Sequence, residues 1–322
     1  MPRTNPTETI DVGFDAYVKK RKAGTESHLE GGGIPDYAYG NDYVLRQKIK
    51  ALPGFYPLAK ALVNTVVPRK KQELNLEALK VGPNQFPDIY EQTVDCARRL
   101  GIGIPTVFVK PDTELNAITY AIEDDAPIIV FYSGLMERLT PGEIKAVIGH
   151  ECGHIHNNHG IFTIAAEIII NLATGLVPGV KQITGLLTLP LQLALKAWSR
   201  AAETTCDRAG VICSDDIRDN FTAQAKFMYG AMFSRSDVNI DVLLKQYDTL
   251  RATPVRMLEL AHTHPLSIRR IFAMKEFAES DLLYKWRPEW KTPGMKTVGK
   301  QELDARCEKY IGVVNSEKRR PS

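Results

Sequence analysis

Apolar positions change period several times along the chain, and each change predicts an element. From Tyr43 the pattern is helical, with breaks expected at Pro53-Gly54 and at Pro68, and from Phe86 to Leu100 an amphipathic helix is closed by Gly101. Strand signals follow at Thr106 to Val109, Ile118 to Ile122 and Ile128 to Tyr132. The clearest helix start is at Thr140. The threonine suits the N-cap, Pro141 the first helical position, and Glu143 completes a capping box. Behind it Ile144, Val147, Ile148, Cys152 and Ile155 recur at three- and four-residue spacing as a stripe for burial, and Gly160 offers a stop. A second helix is expected from about Leu191 to Ile212. Helical periodicity returns from about Asp237 to Tyr284, with Leu243, Leu244, Leu250, Met257, Leu258 and Leu260 as core and Pro265 opening a further helix. A few strands leading into helices, without βαβ repetition, predict a mainly helical α+β fold with a small mixed or antiparallel sheet.

The same pattern divides the chain. Residues 1–42 are poor in aliphatics, contain Gly31-Gly32-Gly33, and are expected to be extended or partly disordered. Residues 43–290 form the main domain, and 291–322, with Pro293-Gly294 and Gly299, an appended tail. Within the main domain, 161–198 is very apolar. A membrane span needs about 20 mostly apolar residues, and a central carboxylate costs roughly 2.5 kcal/mol or more. Glu167 makes the first half a poor span, and the second half is marginal in length, so a buried or interface-forming helix pair is favoured over peripheral membrane contact.

Chemistry enters with His150-Glu151-Cys152-Gly153-His154, inside the Thr140 helix. Positions i and i+4 share a helix face, so both imidazoles can converge on one Zn²⁺ while Glu151 projects beside them. Catalytic zinc commonly takes three protein ligands and leaves a fourth position to water. Glu203, on the second helix, is the best third candidate. Asp207 follows one turn later, suited to holding the other ring nitrogen of a ligating histidine.

On His150-Glu151-x-x-His154, Arg200-x-x-Glu203-x-x-x-Asp207 and His264-Pro265-x-x-x-x-Arg270-Ile271, the chain resembles the HtpX-type and CAAX-prenyl-protease-type gluzincin metallopeptidases over roughly Gly82 to Trp286. Asn116-Ala117 entering a strand, Ser133-Gly134-Leu135 and Leu139-Thr140-Pro141 add to the likeness. The resemblance implies a zincin-like fold and a zinc endopeptidase with one Zn²⁺ per chain, held by His150, His154 and Glu203. It also implies Glu151 as general base, Asp207 as a partner of the ligands, and His264 and Arg270 as catalytic stabilisers near the reacting carbonyl. The strand at Asn116-Ala117 would edge the cleft and bind an extended polypeptide by β-augmentation.

Plainer readings stand beside these. Glu203 and Asp207 could be an ordinary solvated helix face, and His264 could cap a helix. His156 and His159 are expected as solvated histidines at a helix end, favourable to its dipole when charged. Cys152 and Cys206 read as small core residues, with a redox-sensitive pair as the sharper alternative. Five cysteines without paired CxxC spacings imply no disulfide framework and a reducing compartment, and Met1 to Pro6 lacks the apolar core of a secretion signal, so the cytoplasm is the expected location. A net charge of +3 across 322 residues is nearly balanced and argues neither for nucleic acid nor for a strongly acidic substrate, so no nucleic-acid partner is expected. The rival from another class is a non-catalytic zinc-stabilised interaction or membrane-associated scaffold.

Overall fold

The computed structural model describes residues 28–30, 33–122, 126–173, 189–229, 239–248 and 266–312. After a short pair of strands, β1 (Leu29–Glu30) and β2 (Ile34–Pro35), come two helices, α1 (Gly40–Lys50) and α2 (Phe55–Glu77). A four-stranded sheet then forms from β3 (Leu79–Lys80), β4 (Thr106–Lys110), β5 (Ala117–Tyr120) and β6 (Ile128–Tyr132), with α3 (Pro87–Leu100) between β3 and β4. Its order is β3-β4-β6-β5. The β4–β6 pair is parallel and the other two are antiparallel, so the sheet is mixed as expected, and β5 ends it. Side chains alternate between faces along a strand. Val107, Val109, Ile129 and Phe131 therefore join the main core, while Phe108, Ile128 and Val130 pack with Leu74 of α2.

The remaining elements are helices: α4 (Ser133–Arg138), α5 (Pro141–His156), α6 (Gly160–Ala173), α7 (Leu189–Cys213), α8 (Ile217–Tyr229), α9 (Ile240–Asp248), α10 (Ser267–Ala278), α11 (Asp281–Trp286) and α12 (Lys300–Ile311). Helix α5 begins as its sequence dictates. Thr140 accepts from the Glu143 N–H, and the Glu143 carboxylate accepts from the Thr140 N–H. The predicted stripe from Ile144 to Ile155 is buried throughout. The described part of the apolar segment is also interior. Ile161, Phe162, Ile164, Ala165, Ala166 and Ile169 pack with Phe55, Val63 and Val67 of α2 and with Leu195 and Trp198 of α7. Among the described residues no helix is long and apolar enough to cross a membrane.

Two expected helix breaks need correction. Pro68 lies inside α2 and does not break it. Both Pro68 and Asn64, whose carbonyl loses its helical partner, are exposed, so water can satisfy the gap. Helix α5 stops before Gly160: Asn157 caps it, Asn158 turns left-handed at φ +56°, and Gly160 opens α6. At the end of the 1–42 segment, Tyr37, Ala38, Tyr39 and Asp42 are buried in the folded body. The tail likewise returns to the core through α12, whose Leu303 and Cys307 are fully buried and whose Asp304 pairs with Arg208 at 2.7 Å. The expected helix opened by Pro265 begins at Ser267, and Leu250, Met257, Leu258, Leu260 and His264 lie outside the described residues.

Candidate metal centre

Close approach of α5 and α7 builds the site. A Cβ on Gly149 would sit 2.5 Å from Cys213 Cβ, and one on Gly153 would sit 2.8 Å from Ala209 Cβ. With no side chain between them, the helices meet almost backbone to backbone, and the neighbouring positions His150 and His154 of α5 face Glu203 and Asp207 of α7. His150 Nε2 lies 3.5 Å from Glu203 Oε2, and His154 Nε2 lies 3.6 Å from Glu203 Oε1. Two ligands at about 2.1 Å from a tetrahedral zinc stand about 3.4 Å apart. Two imidazole nitrogens and a carboxylate at these separations fit that ion.

The opposite ring nitrogen of each histidine is engaged. His150 Nδ1 is 3.1 Å from Asp207 Oδ1, and because a carboxylate only accepts, the Nδ1 proton points there and the Nε2 lone pair points to the site. Burial opposes protonation of His150, but the Asp207 hydrogen bond and the Glu203 charge move its pKa upward. Burial would raise the Asp207 pKa, but Arg270 and then His150 outweigh it and hold the carboxyl below the usual range.

Arg270, expected near the reacting carbonyl, lines the cleft and contacts two carboxylates of α7. Its Nε donates to Asp207 Oδ2 at 2.8 Å, its Nη2 to Asp207 Oδ1 at 2.6 Å, and its Nη1 lies 3.0 Å from Glu203 Oε2. Two buried carboxylates on one helix repel one another unless a cation lies between them. Arg270 is that cation, and its planar fork suits the bidentate contact.

Glu151 lies on the side of α5 that faces the sheet. Its Oε2 accepts from Thr119 Oγ1 of β5 at 2.6 Å, and burial pushes its carboxyl above the usual carboxylate range, with His150 and Thr119 opposing. Leu115, Asn116, Ala117, Ile118 and Thr119 line one wall of a cleft of about 480 Å³ that also contains His150, Glu151, His154 and Glu203. Asn116 and Ala117 therefore stand where the sequence placed them, at the sheet end beside the metal helix. His264 is outside the described residues.

Two sulfur positions behave differently from each other. Cys152 is buried in the main core, as expected of a small apolar residue. Cys206 is also fully buried, but its Sγ lies within 4.8 Å of ring nitrogens of both His150 and His154. Glu203 instead directs one carboxylate oxygen at each of the two Nε2 atoms. Burial first, then neighbouring carboxylates, push the pKa of the Cys206 thiol upward.

The expectation of solvated histidines past the motif is overturned. His156 is 3% exposed and His159 is fully buried. His156 Nδ1 lies 3.0 Å from the Tyr37 hydroxyl, and His159 reaches His154 and Asp42. Thr119 and Asp42 carried no local signal of their own. His159 did stand five residues past His154, but periodicity alone put it at a frayed helix end.

Comparison with known proteins adds an independent line. The model of peptidase family M48 matches residues 83–278. The chain is 31% identical over 249 residues to plastoglobule-localized metallopeptidase 48, chloroplastic, of Arabidopsis thaliana, covering 74% of this chain and 70% of that protein. It is 36% identical over 92 residues to protease HtpX homolog 1 of Sulfurisphaera tokodaii, covering 29% of this chain and 27% of that protein. It is 33% identical over 81 residues to protease HtpX of Pseudomonas paraeruginosa, covering 25% of this chain and 28% of that protein. The matches to the two HtpX proteins thus span little more than a quarter of their length. No solved structure matches the chain significantly.

Proposed function

The chain belongs to peptidase family M48, and from that premise we propose that it is a zinc-dependent endopeptidase cleaving unfolded or flexible polypeptides. One observation carries the proposal: two Nε2 atoms converge on the Glu203 carboxylate, beside Glu151, in a cleft walled by a sheet end. His150, His154 and Glu203 would hold one Zn²⁺. Bound there, the ion supplies Lewis-acid polarisation of a peptide carbonyl and acidification of water.

The chain's own groups do the rest. Asp207 keeps the His150 proton on Nδ1, and Arg270 keeps Asp207 and Glu203 from repelling one another. Glu151 takes the proton of the attacking water and passes it to the departing amide nitrogen. Thr119 fixes the carboxylate for that transfer. An extended substrate would lie along β5 near Asn116 and Ala117, read by its backbone more than by its sequence, which favours unfolded chains. The unpaired thiols of all five cysteines support residence in a reducing compartment. The name of the Arabidopsis relative places that protein at chloroplast plastoglobules.

The ligand assignment is tested by metal analysis of the purified chain and of His154→Ala and Glu203→Ala. One zinc per native chain and loss from both variants is the expected result. A native chain without zinc, or variants that keep it, would overturn the assignment.

A further inference from the structure

The chain turns sharply out of α5. Asn158 takes the left-handed conformation that asparagine tolerates, and the reversal folds the His159 ring back against His154. His159 Nδ1 lies 3.2 Å from His154 Nδ1, and His159 Nε2 lies 2.9 Å from Asp42 Oδ2. Asp42, in the first turn of α1, is 1% exposed. Two further donors hold it: Trp198 Nε1 reaches Oδ1 at 2.9 Å, and Thr205 Oγ1 reaches Oδ2 at 2.8 Å. The Thr205 hydroxyl accepts from the Tyr39 N–H at 3.1 Å, leaving its own proton for Asp42.

These contacts select one placement of protons. A carboxylate only accepts, so His159 Nε2 carries a proton toward Asp42. An imidazole with its proton on Nε2 accepts at Nδ1, and there it meets the proton of His154 Nδ1. Cys206 Sγ lies 3.6 Å from the same His159 Nδ1. His154 is left with its lone pair on Nε2, the atom that faces Glu203. His150 obtains the same result directly from the Asp207 carboxylate at 3.1 Å, with no second imidazole between them.

We propose that His159 and Asp42 are positioning residues of the metal centre: a two-link relay that holds His154 in the tautomer and orientation required of a ligand. The relay rests on the reading of His154 as a metal ligand. Asp42 lies outside the 83–278 match to the family, so the relay ties a part of the chain beyond that match to the metal.

The test uses the full chain, with zinc alone as the probe in competition with a chromophoric chelator, and thermal unfolding of each metal-free protein. Asp42→Asn keeps the shape but removes the charge, replacing the carboxylate that holds the His159 Nε2 proton with a weaker amide acceptor. His159→Leu cuts the relay. His159→Gln keeps an acceptor toward His154 and a donor toward Asp42. Loss of such an outer partner typically weakens metal binding about ten- to a hundredfold. Asp42→Asn and His159→Leu are each expected to weaken zinc by that factor, and the double variant no more than either alone. His159→Gln should recover much of the affinity, and zinc affinity should not simply track the metal-free melting temperature, which falls wherever buried Asp42 loses a partner.

Unchanged zinc affinity in His159→Leu, effects that multiply in the double variant, or weakening that merely follows loss of metal-free stability would overturn the relay. If Asp42→Asn does not fold, the contrast between His159→Leu and His159→Gln decides. Tight zinc binding by the native chain with no change in the variants would sink the relay alone, whereas a native chain that binds no zinc would sink the ligand reading beneath it.

Discussion

The Thr119 hydroxyl donates to Glu151 Oε2 at 2.6 Å, joining the edge strand β5 to the helix that carries His150 and His154. The bond aims the carboxylate proposed as general base. It also fixes the distance between that base and the strand on which a substrate would lie.

Thr119→Val keeps the side-chain shape and removes the donor. A hydrogen bond to a charged group contributes about 1.5–3 kcal/mol, which corresponds to roughly ten- to a hundredfold in rate. Steady-state kinetics on an unfolded protein substrate should show kcat falling by about that factor with little change in KM and no loss of zinc. An unaltered kcat would mean that Glu151 is positioned by something else.

Arg270 neutralises Asp207 and Glu203 from a buried position, so its removal strands two charges. Breaking a buried pair in this way costs about 3–5 kcal/mol. Urea unfolding of metal-free Arg270→Met should show a loss of that order. Arg270→Lys should recover only part, because an ammonium cannot make the bidentate contact. Full recovery by lysine would argue that charge alone matters there.

Gly160 packs against the end of the cleft strand, where an added Cβ would lie 1.8 Å from the Ala121 carbonyl oxygen. Gly160→Ala must push α6 away from the residues just past β5. Overpacking of this kind costs about 1–3 kcal/mol, and thermal unfolding of the variant should register it. A variant as stable as the native chain would mean that the strand end moves freely.

Lys145 lies 2.7 Å from Asp95 and 2.6 Å from Asp215. Burial would raise the Asp95 pKa, but Lys145 and its arginine neighbours outweigh it and bring the carboxyl down to about 2. Asp215 is lowered in the same way. A folded-state pKa below the unfolded one contributes stability that is present above the unfolded value of about 4 and is lost as pH falls toward 2. Denaturant midpoints between pH 5 and 2 should therefore fall more steeply for the native chain than for Lys145→Met. Parallel slopes would show that this cluster contributes nothing to acid sensitivity.

Much of this was legible in the sequence where the signal is local. The capping box at Thr140 and the stripe from Ile144 to Ile155 wrote out α5, and β6 ran from Ile128 to Tyr132 as read. Glu203 and Asp207 were findable because i and i+4 share a helix face. What escaped was contact between distant residues. Asp42 and His159 are 117 positions apart, and no periodicity links them. Asn158 stopped α5 by turning left-handed, which left Gly160 free to serve close packing, the role its missing side chain allows. Arg270 was read for its charge toward substrate, and only the folded chain shows the two carboxylates it joins.

The most direct test of the central claim is cleavage of casein by the native chain and by Glu151→Gln, with zinc counted in both. The account predicts one zinc per chain in each protein, cleavage by the native chain, and loss of turnover in the variant while fold and metal are kept. Equal cleavage by both would contradict the role given to Glu151, and zinc in both with cleavage by neither would favour a zinc-stabilised scaffold over the enzyme.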